Sequence, residues 1–257
     1  MDAVRVARDG PVAVLEMARP ETGNALDSAL VEALGAALAA LPGSGARAAV
    51  LTGAGRHFST GANLTELAAD APLADRLADA RRLGNLYATL LRCPLLTVAA
   101  VHGAAYGGGF GLAAACDLVI GAPDAKLQFS ELRLGFVPAL ISVFLPRRVV
   151  GARLAQLFFD PSPLGAAAAQ AVGLVDEVAD DPLATACTRA RSIAGRVSPS
   201  ALAETKRLLL DQALPDLDER LAHAARVNAK QRADPECRRG VAAFLATRTF
   251  PDWLDDD

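Results

Sequence analysis

The chain has 257 residues, 52% of them hydrophobic and 21% charged, which suits one large domain with a sizeable core and excludes a disordered chain. A formal net charge of −3 lacks the basic excess of a phosphate-binding surface, so no nucleic-acid partner is expected. Cys93, Cys116, Cys187 and Cys237 are scattered, with no Cys-x-x-Cys and no histidine at ligand spacing; the expectation is buried free thiols in a reducing compartment, without disulfides or a metal site.

The N-terminal stretch MDAVRVARDG lacks the basic-then-apolar layout of a secretory signal. VRVARDGPVAVLEM reads as two strands around a turn at Asp9-Gly10-Pro11. After the loop RPETGNAL, a helix is expected from Asp27 to Ala40, capped by Asp27 or Ser28 and striped by Leu30, Leu34, Leu38 and Leu41. ARAAVLTG is a buried strand followed by the loop AGRHFSTGANL, then a polar helix from Asp75 to Leu91 and the strand LLTVAAV. The stretch from LLTVAAV through Cys116 is long and apolar, but His102 and a glycine cluster interrupt it. A buried strand entering a short buried helix fits better than a membrane span. The expectation is a cytoplasmic protein with no membrane partner. DLVIGAP and AKLQFS read as short strands. Beyond Pro138 the pattern is helical: GARLAQLFF, PLGAAAAQAVG, then Pro182 to Arg196, Pro199 to Ala213, Asp216 to Arg232 and Pro235 to Thr247. The fold class is therefore α/β, with residues 1–196 as the core and 197–257 as a helical C-terminal region; no fixed-period repeat stands out.

Residues 102–117, HGAAYGGGFGLAAACD, hold five glycines beside a buried strand. Gly109 to Ala114 formally fit the dinucleotide pattern G-x-G-x-x-A, but Gly103 to Tyr106 separate the strand from the triple glycine. The acids Asp117 and Asp124 follow too soon to be the ribose partner. The alternative is a site for developing negative charge: glycines at a helix start leave amides unblocked, with the positive end of the helix dipole behind them. A second donor loop is needed to make a hole, and GRHFSTGANL, also placed after a buried strand, is the candidate. Without that pairing, tight helix–sheet packing would explain the glycines.

LTGAGRHFSTGANL, AAVHGAAYGGGFGLAAACDLVIG and FSELRLGFVP, in that order, resemble the enoyl-CoA hydratase/isomerase (crotonase) superfamily. RPETGNALD, AVGLVDEV and GVAAFLATR resemble further segments of it, so the likeness covers nearly the whole chain. The resemblance implies a crotonase-like spiral of β-β-α units, a helical C-terminal region that trimerises, a homotrimer or dimer of trimers, and an acyl-CoA thioester substrate. Coenzyme A is part of that substrate and no separate cofactor is implied. Matched residue by residue, Ala62 and Gly108 supply the oxyanion-hole amides and Glu131 is the acid/base. Thr60, Gly61 and Leu64 resemble the loop that cradles the adenine end of CoA. Gly107, Gly111, Pro138, Ala139 and Arg248 complete the substrate-binding set, Arg248 lying where the family often places a lysine. Two amides on a thioester oxygen would stabilise the enolate formed by proton removal or conjugate addition. A carboxyl group in a poorly solvated pocket would titrate near working pH.

The sequence departs from the two-glutamate hydratases. Gly111 stands where those enzymes place their first glutamate, and VPALIS replaces the common IPGAGG, so that Ala139 takes a glycine position. Asn63 replaces a usual aspartate, and Glu21 replaces a basic residue that often follows Arg-Pro. The readings that follow are an enoyl-CoA hydratase, a double-bond isomerase using one carboxylate, or an acyl-CoA-binding protein without turnover. His102, His57 and His223 read as structural or surface residues, and Asp117 as the tie for a helix end or a neighbouring loop. Ser59 and Ser142 lie outside any G-x-S-x-G elbow, so serine nucleophile chemistry is not expected.

Overall fold

The computed structural model describes residues 2–254. Its first half contains β1 (Val4–Asp9), β2 (Val12–Met17), α1 (Ser28–Ala40), β3 (Ala48–Gly53), α2 (Leu64–Ala68), α3 (Leu73–Leu91), β4 (Leu96–Val101), β5 (Ala104–Tyr106), α4 (Gly108–Ala115), β6 (Leu118–Gly121) and β7 (Lys126–Gln128). A 3₁₀ turn (Glu131–Leu134) follows, then α5 (Ala139–Phe144), α6 (Ala152–Phe159), β8 (Leu164–Gly165), α7 (Ala166–Ala171) and β9 (Glu177–Val178). Four helices end the chain: α8 (Pro182–Ala194), α9 (Pro199–Ala213), α10 (Leu217–Gln231) and α11 (Pro235–Thr247).

The wholly apolar runs become the middle of a six-stranded sheet in the order β1-β2-β3-β4-β6-β9, parallel except for the β1–β2 hairpin. All six residues of β3 and of β4 are buried because both sheet faces are covered. Val12, Val50 and Val98 face Ala186, Ala190 and Ala194 of α8. Leu15, Leu51 and Ala99 face the larger core that takes Leu30 and Leu34 from α1 and Leu86 and Leu90 from α3. A second, three-stranded sheet joins β5, β7 and β8. The hairpin turn is where Asp9-Gly10-Pro11 placed it, with Gly10 at φ 58°. Asp27 caps α1, its carboxylate accepting the Leu30 amide at 2.7 Å, a contact worth about 1 kcal/mol.

Several short elements lie where the periodicity gave no sign of them, two of them beside the glycine-rich loops. Asn63 accepts the Thr65 and Glu66 amides and starts the one-turn helix α2, which is too short to show a stripe. β5 lies within the glycine stretch itself, three residues long. The C-terminal helices do not form a layer apart: α10 packs on α3 and α5, and α11 on α2 and the 3₁₀ turn. Among the described residues no helix is long and apolar enough to cross a membrane.

Asp117 performs the tying role its position suggested. Its carboxylate accepts the Thr97 amide at 2.7 Å and hydroxyl at 2.9 Å, and Lys206 of α9 reaches the same oxygen at 2.6 Å and the Leu95 carbonyl at 2.6 Å. Removing one member of a largely buried pair strands the other. Lys206→Met is therefore expected to lower unfolding free energy by about 3 kcal/mol, read as a fall in the urea midpoint; an unchanged midpoint would refute this anchor.

Candidate active site

β3 and β4 are parallel neighbours, so the chain leaves both at the same end of the sheet, the end at which ligands bind in open α/β sheets. The two emerging loops are then stitched together by main-chain hydrogen bonds. Phe58 donates to the His102 carbonyl (2.9 Å), Ser59 to the Ala104 carbonyl (3.1 Å), and Tyr106 back to the Ser59 carbonyl (3.0 Å). His57 Nδ1 accepts the Ala104 amide at 3.1 Å; burial, and then the neighbouring Arg56 charge, hold its pKa below the ordinary value, as a neutral acceptor requires. Ser59 is fully buried; its hydroxyl donates to the Asn24 carbonyl (2.7 Å) and accepts the Gly61 amide (3.3 Å). Asn24, buried at φ 55°, donates to the Ala54 and His57 carbonyls and accepts the Arg19 amide. Neither Asn24 nor Ser59 was identified from the sequence. Their signal was only a polar residue in each loop with no surface role.

This stitching determines where the amides point. Leu26 donates to the Gly61 carbonyl at 2.7 Å and accepts from Asn63 at 3.4 Å, a parallel bridge centred on Ala62. In such a bridge residues 61 and 63 face Leu26 and the Ala62 amide faces away. Gly61, at φ 90°, lies so close to the other loop that a Cβ there would come 2.6 Å from the Tyr106 carbonyl oxygen and 3.7 Å from the Gly108 nitrogen. Gly108 is the first residue of α4, where amides have no intrahelical acceptor. Among the described residues neither the Ala62 nor the Gly108 amide donates to a protein acceptor.

Glu131 opens the 3₁₀ turn and is buried. Gly107, at φ 47°, lets its carboxyl approach the backbone: a Cβ at 107 would stand 2.8 Å from Oε1. The other carboxyl oxygen, Oε2, is buried with no hydrogen-bond partner. Burial raises the carboxyl pKa from 4.5 to about 7, against a smaller lowering by its own main-chain amide. An unpaired carboxyl group thus sits one residue away from a free amide donor.

Both features open on a cavity of about 860 Å³, large enough for a sizeable organic ligand. Its wall includes Thr60, Gly61, Ala62, Leu64, Gly107, Gly108, Glu131, Pro138, Ala139 and Arg248. Leu26, Val31, Ala80, Leu83, Leu140 and Ile141 give it an apolar stretch. Asp79 gives it a charged one, bonded to Arg82 at 3.0 Å and to Arg232, which caps the C-terminus of α10, at 3.3 Å. Gly111 is the exception among the expected residues and does not line the cavity. A Cβ there would stand 2.7 Å from Tyr87 Oη and 3.0 Å from Ile141 Cγ1, both of them wall residues. Tyr87 is among the wall residues that the sequence did not reveal, since an aromatic residue on a helix stripe reads as core. His57, His102 and Ser59 lie outside the wall, and His102 Nε2 is 3.1 Å from the Gly55 carbonyl.

Two main-chain amides without a protein acceptor among the described residues and a buried carboxyl, all on the wall of one largely apolar cavity, sit on an α/β scaffold of the crotonase fold. The chain belongs to the enoyl-CoA hydratase/isomerase family, whose model matches residues 7–256. It is 38% identical over 251 residues to a Thermus thermophilus candidate enoyl-CoA hydratase, covering 93% of this chain and 96% of that one. It is 34% identical over 257 residues to the 2,3-dehydroadipyl-CoA hydratase of Escherichia coli K12, covering 98% and 99%. The crystal structure of an enoyl-CoA hydratase from Mycobacterium avium is similar at a TM-score of 0.86 and 28% identity, over 98% of each chain.

Because the folded protein holds the Glu131 proton more tightly than the unfolded chain does, stability present below pH 4.5 is lost as pH rises through about 7. Glu131→Gln, which cannot ionise, is expected to be more stable than the parent by about 3 kcal/mol at pH 8, with the difference shrinking toward pH 5. Urea titrations of the two proteins at both pH values measure it, and equal stability at pH 8 would contradict a buried, unpaired carboxylate.

Proposed function

We propose that the protein adds water across the 2,3 double bond of an enoyl-CoA thioester. The observation that carries this reading is the unpaired, buried Glu131 carboxyl beside the free Gly108 amide in one cavity. In the reaction the water oxygen bonds to C3, the π electrons of C2=C3 move toward the thioester, and its carbonyl oxygen becomes an oxyanion. The Ala62 and Gly108 amides would receive that charge, each donor contributing roughly 2.7–4 kcal/mol of transition-state stabilisation. Glu131 takes the proton released by water and returns one to C2 as the enolate collapses, so the carboxylate is regenerated. A pKa of about 7 suits a group that must accept and then donate near neutral pH.

In this reading CoA reaches the cavity past Thr60, Gly61 and Leu64, with Arg248 available to its phosphates. The assembly that accompanies it is a homotrimer or dimer of trimers. Exposed Phe159, Leu208 and Leu209 offer apolar surface for such contacts.

One observation favours a second reading. With Tyr87 and Ile141 filling the space beside Gly111, the carboxylate that lies against Gly107 is Glu131, and one carboxylate is enough to carry a proton from C2 to C4. That step converts a 3-enoyl-CoA into the 2-enoyl isomer through the same oxyanion.

Incubation with crotonyl-CoA and with a 3-enoyl-CoA separates the two. Loss of the conjugated-thioester absorbance is expected from the first, whereas its appearance from the second would support the isomerase. Acyl-CoA binding without turnover of either would overturn both in favour of a binding protein. Glu131→Gln is expected to lower kcat by about 10²–10⁴-fold. The rate of the parent protein should rise with pH through about 7 and then level off, because water is deprotonated only by the carboxylate; a flat pH profile would contradict this.

A further inference from the structure

Tyr87 lies on α3, fully buried, with its ring packed at 5.1 Å and 55° against Phe144. Packing alone would be served by phenylalanine, and a buried hydroxyl is costly unless bonded. Here the hydroxyl donates to the Gly108 carbonyl at 2.8 Å. Gly108 therefore offers its amide to the cavity while its carbonyl is held by Tyr87. That hold matters because glycine has no side chain to fix its own backbone. The Tyr87 hydroxyl oxygen also fills the space beside Gly111, where any Cβ would meet it at 2.7 Å and the ring carbon Cζ at 3.0 Å. Burial, together with the neighbouring Glu131 charge, drives the phenol well above its ordinary pKa, so it remains a neutral O–H donor and takes no part as a base.

We propose that Tyr87 is a positioning residue: its hydroxyl pins Gly108, and its ring end occupies the volume of a side chain at position 111, so that no second carboxylate joins Glu131 from that position. This inference rests on the acyl-CoA reading above and specifies how the site is committed to one acid/base group.

The experiment begins with turnover of crotonyl-CoA and a 3-enoyl-CoA by the parent protein and by Glu131→Gln. A parent without turnover overturns the functional reading itself; a parent that turns over lets the Tyr87 variants be read. Tyr87→Phe keeps the ring and removes only the hydroxyl. It is expected to lower kcat about tenfold with KM within about twofold and the melting temperature little changed. Gly111→Glu alone is expected to lose both thermal stability and activity. With Tyr87→Ala it should regain stability, exceed the activity of either single variant, and show a second ionisation in its pH profile. An unchanged kcat in Tyr87→Phe, or Gly111→Glu as stable and active alone as in the double variant, overturns the proposal. Should neither glutamate variant fold, the kcat-against-KM split of Tyr87→Phe decides it.

Discussion

The structure depends on a main-chain seam between two loops that leave adjacent parallel strands. Three amide–carbonyl bonds join residues 58–59 to residues 102–106, and everything chemical follows from their register. They bring the turn at Ala62 alongside the first turn of α4, so two amides with no protein acceptor among the described residues lie on one cavity. Such bonds are strong only where water is excluded. The buried Ser59 hydroxyl bonds the Asn24 carbonyl and the Gly61 amide, and the Asn24 side chain bonds the Ala54 and His57 carbonyls, so both tie further main-chain groups to the seam. Tyr87 holds the far side of the same turn through the Gly108 carbonyl.

Against this rigid arrangement the fold sets one costly feature. A carboxyl group is buried without a partner for one oxygen, and burial raises its pKa to about 7. A purely structural glutamate is usually exposed or paired, so the burial of Glu131 is a concession in stability, and the proposed acid/base role is what would offset it. The glycine at 107 permits it, since a side chain there would collide with the carboxyl. The opposing demands on residues 107–111 explain the glycine-rich sequence: a free amide at 108, a close carboxyl at 107, and the Ser59 hydroxyl only 2.5 Å from where a Cβ at 109 would lie.

Much of the scaffold was legible in the sequence because burial on two faces leaves a continuous apolar signature, as at 48–53 and 96–101. Helix starts were legible where a capping side chain precedes a stripe, as at Asp27. The short elements β5, β8 and β9 were hidden, because two or three residues carry no period and their pairing is set by distant segments. At the site, the loop motifs pointed to Ala62, Gly108 and Glu131, which the fold gathers around one cavity. Asn24 and Ser59 could not be seen because their role is to bond main-chain groups that only the folded seam brings near. Gly111 was expected in the wall and is shielded from it by Tyr87 and Ile141; that shielding comes from α3 and α5, remote in sequence, and leaves no local mark.

The central claim, that the Ala62 and Gly108 amides converge on one acyl oxygen, is tested most directly by vibrational spectroscopy of a bound acyl-CoA carrying a ¹³C-labelled thioester carbonyl. Two donors that polarise the carbonyl should move its stretching band to lower frequency than in free solution. A band unshifted on saturating binding would contradict the account.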